Sequence, residues 1–347
     1  MSLRVSAVRP YAAAPEPGEA AVPVPDDCSW EIGEPRRIEF DDPVTELDVR
    51  VVNGTVNVVG TPDATTRVEV GKVEGPPLLV RREGGKLVLA YDDLPWNGFL
   101  KWLDRKGWRR EVEVSVRVPA QVALSVGVVA ASAVVSGVRG RTRVAGVSGS
   151  TTLVGLSGPV TAETVSGDVE TQRLSGSLHF STVSGDLTCI DASACEIKAD
   201  SVSGAMILDL CSPRSARSPR ADDPADIRLS SVSGELALRL PDDADLTVDA
   251  RTAGGAVSSA FDGLATGGWG DHRITGTLGA GRGVLHASNV SGGLALLRRP
   301  PGDDTLHEPS GSSGSSGTSG STGNDATAVG GPHPPEHPGN PSPAKDL

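Results

Sequence analysis

The chain has 347 residues, a formal net charge of −12, 43 Gly, two Met, and an aromatic complement of only five Trp, four Phe and two Tyr. The acidic balance argues against a nucleic-acid-binding body, because affinity for phosphates rests on Lys and Arg, while Gly with Val, Ser and Thr describes short strands joined by tight turns. Four cysteines at 28, 189, 195 and 211 form neither a disulfide framework nor a zinc spacing, and no apolar run reaches the length of a membrane span, so the expectation is a cytoplasmic protein without metal or cofactor.

Residues 1–34 are rich in Pro, Ala and acidic side chains and read as a flexible leader. From 35 to 118 the texture changes to period-two alternation, in TELDVRVVNGTVNVVG, TRVEVGKV, KLVLAY and EVEVSVRVP, which predicts strands with one buried face. Within this region, residues 94–110 differ. Phe99, Leu100 and Leu103 recur at helical spacing, and Trp96, Trp102 and Trp108 crowd close by, which predicts a short helical or loop segment.

Between 119 and 299 one triplet returns again and again: VSG at 147, LSG at 156, VSG at 165, LSG at 174, then VSG at 183, 202, 232 and 290. Apolar residues follow at fixed offsets, such as Leu178 with Phe180, Leu187 with Cys189 and Met206 with Leu208. Each unit therefore reads as a Ser-Gly turn feeding a short alternating strand. Gly149, Gly167, Gly185, Gly204 and Gly234 are the expected structural corners, since Gly accepts a positive φ and Ser can bond the corner's backbone.

Alternation of the V and L forms makes the full period about 18 residues, which suits one coil of an all-β, single-stranded β-solenoid carrying two or three strands. A β-sandwich is the competing fold, although it has no need of one triplet at fixed offsets. Weaker copies at VNGTVNV (52–58), TAGGAV (252–257) and ITGTL (274–278) place the flanking strands in the same stack.

The period slips between 183 and 202 and again before 232, where CSPRSARSPRADDPADI reads as a bulging loop with Arg214, Arg217 and Arg220. Residues 300–347 are Gly/Ser-rich, then Pro-rich, with almost nothing to bury, and read as a disordered tail.

On TVSGDV (164–169), TVSGDL (182–187), SVSGEL (231–236) and the closing GTLGAGRGVLHASNVSGGLALLRR (276–299), the chain resembles a bacterial family of β-strand-repeat proteins known as putative adhesins, a domain of unknown function. The resemblance implies a β-solenoid over most of 36–299 and brings no catalytic residue with it.

Chemistry beyond the repeat is sparse. Calcium β-rolls place Asp in successive turns, whereas only Asp168 and Asp186 occupy the eight positions after the Ser-Gly pairs. Those two, one full period apart, raise the alternative of a β-helix polysaccharide lyase or hydrolase. His179, His272 and His286 lie in strand contexts without a carboxylate at metal or triad spacing.

The Trp-rich segment remains as a cap over the stack or a contact surface, with Trp96, Phe99, Trp102 and Trp108 as candidate partner-contact residues beside Lys101, Arg105, Lys106, Arg109 and Arg110. The expected function is a non-enzymatic scaffold or binding module with a protein partner and no nucleic acid. Peripheral membrane contact through the Trp residues is a further expectation, and self-association of the bactofilin type is the architectural alternative.

Overall fold

The structure is a computed structural model, and it describes residues 27–91, 110–212, 223–267 and 272–300. Among the described residues it is all-β, 24 strands in one hydrogen-bonded sheet, with no helix and therefore none long and apolar enough to cross a membrane. The Trp-rich segment, apart from Arg110, falls outside these residues, as do Arg214, Arg217 and Arg220, most of the leader and nearly all of the tail.

At the N-terminal end lie β1 (Asp27–Ile32), β2 (Arg36–Phe40), β3 (Glu46–Thr61), β4 (Thr66–Glu74), β5 (Leu78–Glu83), β6 (Lys86–Ala90), β7 (Glu111–Pro119) and β8 (Ala123–Ser136). The middle is built from β9 (Thr142–Gly146), β10 (Thr151–Val154), β11 (Val160–Thr164), β12 (Val169–Gln172), β13 (Leu178–Thr182), β14 (Leu187–Ala192), β15 (Glu196–Ser203), β16 (Met206–Leu210), β17 (Asp226–Ser233) and β18 (Leu236–Leu240). The C-terminal end holds β19 (Leu246–Gly254), β20 (Val257–Ser259), β21 (Leu264–Gly267), β22 (Arg273–Leu278), β23 (Gly283–Ser291) and β24 (Leu294–Arg298).

Two parallel ladders run through the middle. Odd-numbered strands pair with odd and even with even, so that Val160 faces Leu178 in one ladder and Val169 faces Leu187 in the other, each partner lying one full period further along the chain. Every repeat unit therefore supplies one strand to each ladder, with a VSG corner leading from odd to even and an LSG-type corner leading back. The long strands β3 and β8 cross from one ladder to the other, which joins both into a single sheet.

Alternation along each strand sends one residue in two inward. Leu178, Phe180, Leu187, Cys189, Met206, Leu208, Leu236 and Leu238 are all within 1% of complete burial and belong to one cluster continuous from Ile32 to Leu296. Burying a side chain of this size contributes about 1.5–3 kcal/mol, so the stacked columns supply the main driving force.

The slip between 183 and 202 is one extra residue, absorbed as a bulge between Cys189 and Ala192 on β14. Before 232 the slip is longer: Ile197 pairs with Ile227, and the chain between them carries the insertion at 213–222 without disturbing either ladder.

The two ends obey different rules. Strand β3 lies between β8 and the pair β6 and β7, and the antiparallel strands β5 and β1, or β4 and β2, follow outward. At the other end β23 and β24, the last of the described strands, sit between β17 and β18 on one side and β19 and β20 on the other. Antiparallel β22 and β21 then cover β19. Such turns of direction at the margins limit the templating edge a parallel stack would present.

Candidate functional site

The VSG corners are the most elaborated feature of the described surface, and each residue of TVSGD has a separate task there. Thr points inward: the Thr164 hydroxyl donates to Thr182 Oγ1 at 2.9 Å, and Thr182 Oγ1 also accepts from the Gly185 amide at 3.0 Å. Thr164, Thr182, Ser201, Ser231, Asn289 and Thr252 form a buried polar column at this position. In a low-dielectric setting the hydrogen bonds made within that column are strengthened. Asn289 Nδ2, for example, donates to the Gly234 carbonyl at 2.8 Å.

Ser works between units. The amide of Ser184 donates to the Val165 carbonyl at 2.8 Å and its hydroxyl reaches the same oxygen at 3.3 Å. Ser148, Ser166 and Ser203 repeat the arrangement on Val129, Val147 and Val183.

Gly is required for space more than for dihedral freedom. Gly149, Gly204 and Gly234 do have positive φ (102°, 141° and 140°), but Gly167 and Gly185 do not. The sequence expectation of a positive φ at all five corners is corrected there by the close approach of the neighbouring unit: a Cβ on Gly185 would lie 2.1 Å from the Gly167 carbonyl oxygen, and one on Gly167 would lie 2.4 Å from that of Gly149.

Asp completes the motif by receiving an amide from the next unit. Asp168 Oδ1 accepts from the Asp186 backbone at 3.0 Å, and Asp186 Oδ1 accepts from the Ala205 backbone at 2.7 Å. Both carboxylates are thus engaged in stacking, each joining its corner to the next.

Val points out. Val183, Val202, Val232 and Val290 are 51%, 50%, 50% and 54% exposed, and the register sets Val202 beside Val232 and Val232 beside Val290. With strands about 4.8 Å apart, they make one continuous apolar ridge. Half-buried Val147 and Val165 extend it on one side and exposed Ala253 on the other.

The second corner carries a different constraint. Gly137, Gly155, Arg173 and Asp191 recur there one period apart, all left-handed with φ of 69°, 63°, 52° and 53°. The two non-glycine members therefore carry backbone strain. At Asp191 the strain accompanies an ion pair with Arg299, which is 4% exposed and also meets Asp209 at 3.1 Å.

Beside this corner lies a cavity of about 220 Å³ whose apolar floor includes Leu210, Ile227, Leu240 and Leu246. Its polar rim is satisfied internally, Ser212 donating to Asp243 at 2.8 Å and Arg282 Nε to Asp245 at 2.6 Å.

The remaining sequence candidates do not converge. His179 and His286 are exposed on the outer face of the odd ladder, and His272 Nδ1 lies 2.7 Å from the Gly255 carbonyl. Among the described residues no three His, Cys, Asp or Glu side chains come together as metal ligands. Burial pushes the Cys189 thiol up to about 11, slightly relieved by a hydrogen bond from Thr171 Oγ1 at 2.9 Å, so it is a packed side chain and not a nucleophile. Trp96, Phe99, Trp102 and Trp108 lie outside the described residues. The valine ridge was missed in the sequence, although the signal was visible there: Val of VSG is out of phase with the inward Thr before it.

No family model matches the chain, and no curated protein does. Among solved structures, a putative cell adhesion protein from Clostridium sporogenes aligns with 77% of this chain and 100% of its own, at 10% identity and a TM-score of 0.24. A putative adhesin from Bacteroides fragilis aligns with 76% of this chain and 97% of its own, at 11% identity and a TM-score of 0.38.

Proposed function

We propose that the chain is a non-enzymatic, adhesin-like β-solenoid scaffold that engages a protein partner along the valine ridge. The observation that carries this reading is the exposure by half of Val183, Val202, Val232 and Val290 in one unbroken column. Contiguous apolar surface on a protein exterior is characteristic of contact sites. Support for the solenoid comes from two parallel ladders that advance together by one repeat unit at a time, each unit hydrogen-bonded only to its neighbours in the stack. The mechanism is geometric: a stiff stack fixes the spacing of its valines, so a partner meets them with little loss of conformational freedom.

Nothing at Asp168 or Asp186 asks for a reaction, since each carboxylate already holds a backbone amide. The test is capture from native-cell lysate with the wild-type chain and a Val202→Lys/Val232→Lys/Val290→Lys variant whose melting is unchanged. The expected result is a specific partner lost with the variant. Matching capture profiles would sink the ridge as the contact. Loss only with Trp96→Ala/Trp102→Ala/Trp108→Ala would move the contact to the Trp-rich segment.

A further inference from the structure

Strands β23 and β24 occupy a slot that the sequence order does not require. On one side Ile227 of β17 faces Leu285 and Leu236 of β18 faces Leu294; on the other, Leu285 faces Val248 of β19 and Leu294 faces Val257 of β20. The step across the slot is the same in both ladders, from Ile227 to Val248 in one and from Leu236 to Val257 in the other. Its walls are therefore in register with each other as well as with their occupant.

The occupant enters by a single connection, 279–282, where Gly279 and Gly281 are both left-handed, and β24 is the last described strand. Charged side chains at both of its ends help to hold it. Arg299 is buried against Asp191 and Asp209, and Asp245 accepts both the Arg282 amide at 3.0 Å and its Nε at 2.6 Å.

We infer that β23–β24 is an exchangeable unit, able to leave its slot and fill the same slot in a second copy of this chain. The contacts it makes are with Leu236, Leu238, Val248 and their neighbours, which every copy presents identically, so the exchanged pair regains what each chain gives up. The connection at 279–282 acts as the hinge, and Arg299 sets how readily the unit is released. Val290 travels with the unit, so each copy's ridge is completed by the other's valine.

The test uses the full chain with Cys28, Cys189, Cys195 and Cys211 replaced by Ala. Ser230 and Ser288 are register partners across β17 and β23, and neither is buried. A Ser230→Cys chain and a Ser288→Cys chain are mixed at high concentration in mild denaturant, returned to buffer and oxidised. The expected product is a disulfide-linked species of twice the mass, formed several-fold faster when both carry Arg299→Ala. A double Ser230→Cys/Ser288→Cys chain should close within itself and stay monomeric.

Monomers alone from the mixture, while the double variant closes, would overturn exchange. Failure of the double variant to close would overturn the slot itself. Equal cross-linking of Ser288→Cys with a Ser181→Cys chain, whose cysteine lies away from the slot on β13, would show random collision and likewise overturn the proposal.

Discussion

The middle of the stack and its two ends use the same strands and corners but opposite rules of assembly. From β9 to β18 the chain adds units in sequence order, always parallel, each laid on the one before. At the ends it inserts β3 and β23–β24 between strands that lie elsewhere in the sequence, then reverses direction in β5, β4 and β22. The contrast teaches that repetition is sufficient to grow a stack and insufficient to stop one. Stopping takes antiparallel strands and long-range closure, and those carry little repeat signature.

The sharpest way to break the contrast is a pair of glycine substitutions. Gly185→Val in the middle forces a side chain into the Gly167 carbonyl at a buried corner, and should destabilise by about 3 kcal/mol or more in denaturant titration. Gly84→Ala, in the end hairpin between β5 and β6, has open space around it and only its φ of +57° to strain, so about 1 kcal/mol is expected. Equal losses would mean that the corners are no more tightly specified than the ends.

Thr182→Val tests the polar column next. It leaves the Thr164 hydroxyl and the Gly185 amide without their acceptor and should cost about 1–3 kcal/mol, although the shape is preserved. A neutral effect would show that the column is incidental to the motif.

Arg173→Gly should act in the opposite direction. Its counterpart one unit earlier, Gly155, already uses glycine at φ 63°, and relief of the left-handed strain should stabilise by about 0.5–1 kcal/mol. The matching change at Asp191 should not help, because it also removes one of the two carboxylates that meet buried Arg299. Thermal melts of the two variants should therefore shift with opposite signs.

The smallest effect is expected at the C-terminal hinge. Arg282 holds the Asp245 carboxyl below its usual value of 3.8, mainly by a side-chain hydrogen bond with backbone support. A depressed folded pKa gives stability that is present above the usual value and lost as pH falls through the folded one. Because Arg282 is well exposed the contribution is small. Asp245→Asn should melt slightly below wild type at pH 7, and the two should converge well below pH 3.8.

How much of this was legible in the sequence follows the same division. The VSG and LSG spacing announces a unit with two corners, and the inward positions of Leu178, Phe180, Leu187 and Cys189 can be read from alternation alone. Insertion of β3 and β23–β24 cannot be read that way, since TAGGAV and NVSGGL are equally good neighbours for SVSGEL and local pattern says nothing about which is chosen. The reason for glycine was misread for a related cause. Sequence shows that a corner exists, but the closeness of Gly185 to Gly167 is a relation between units. The valine ridge needed only a count of phase: Thr182 is inward, so Val183 must be outward.

The Ser and Asp bonds of the VSG corners run the same way, from a later unit's donor to an earlier unit's acceptor: Ser184 to Val165, Asp186 to Asp168, Ala205 to Asp186. Length in the middle is thereby quantised. Duplicating or excising a whole unit leaves each corner Ser facing an equivalent backbone carbonyl, whereas removing half of one would set an LSG corner on a VSG one and exchange the two ladders. The middle can thus grow or shrink by whole units with both ladders kept in register at the seam, whereas the ends, where strands are inserted out of sequence order, follow no such arithmetic.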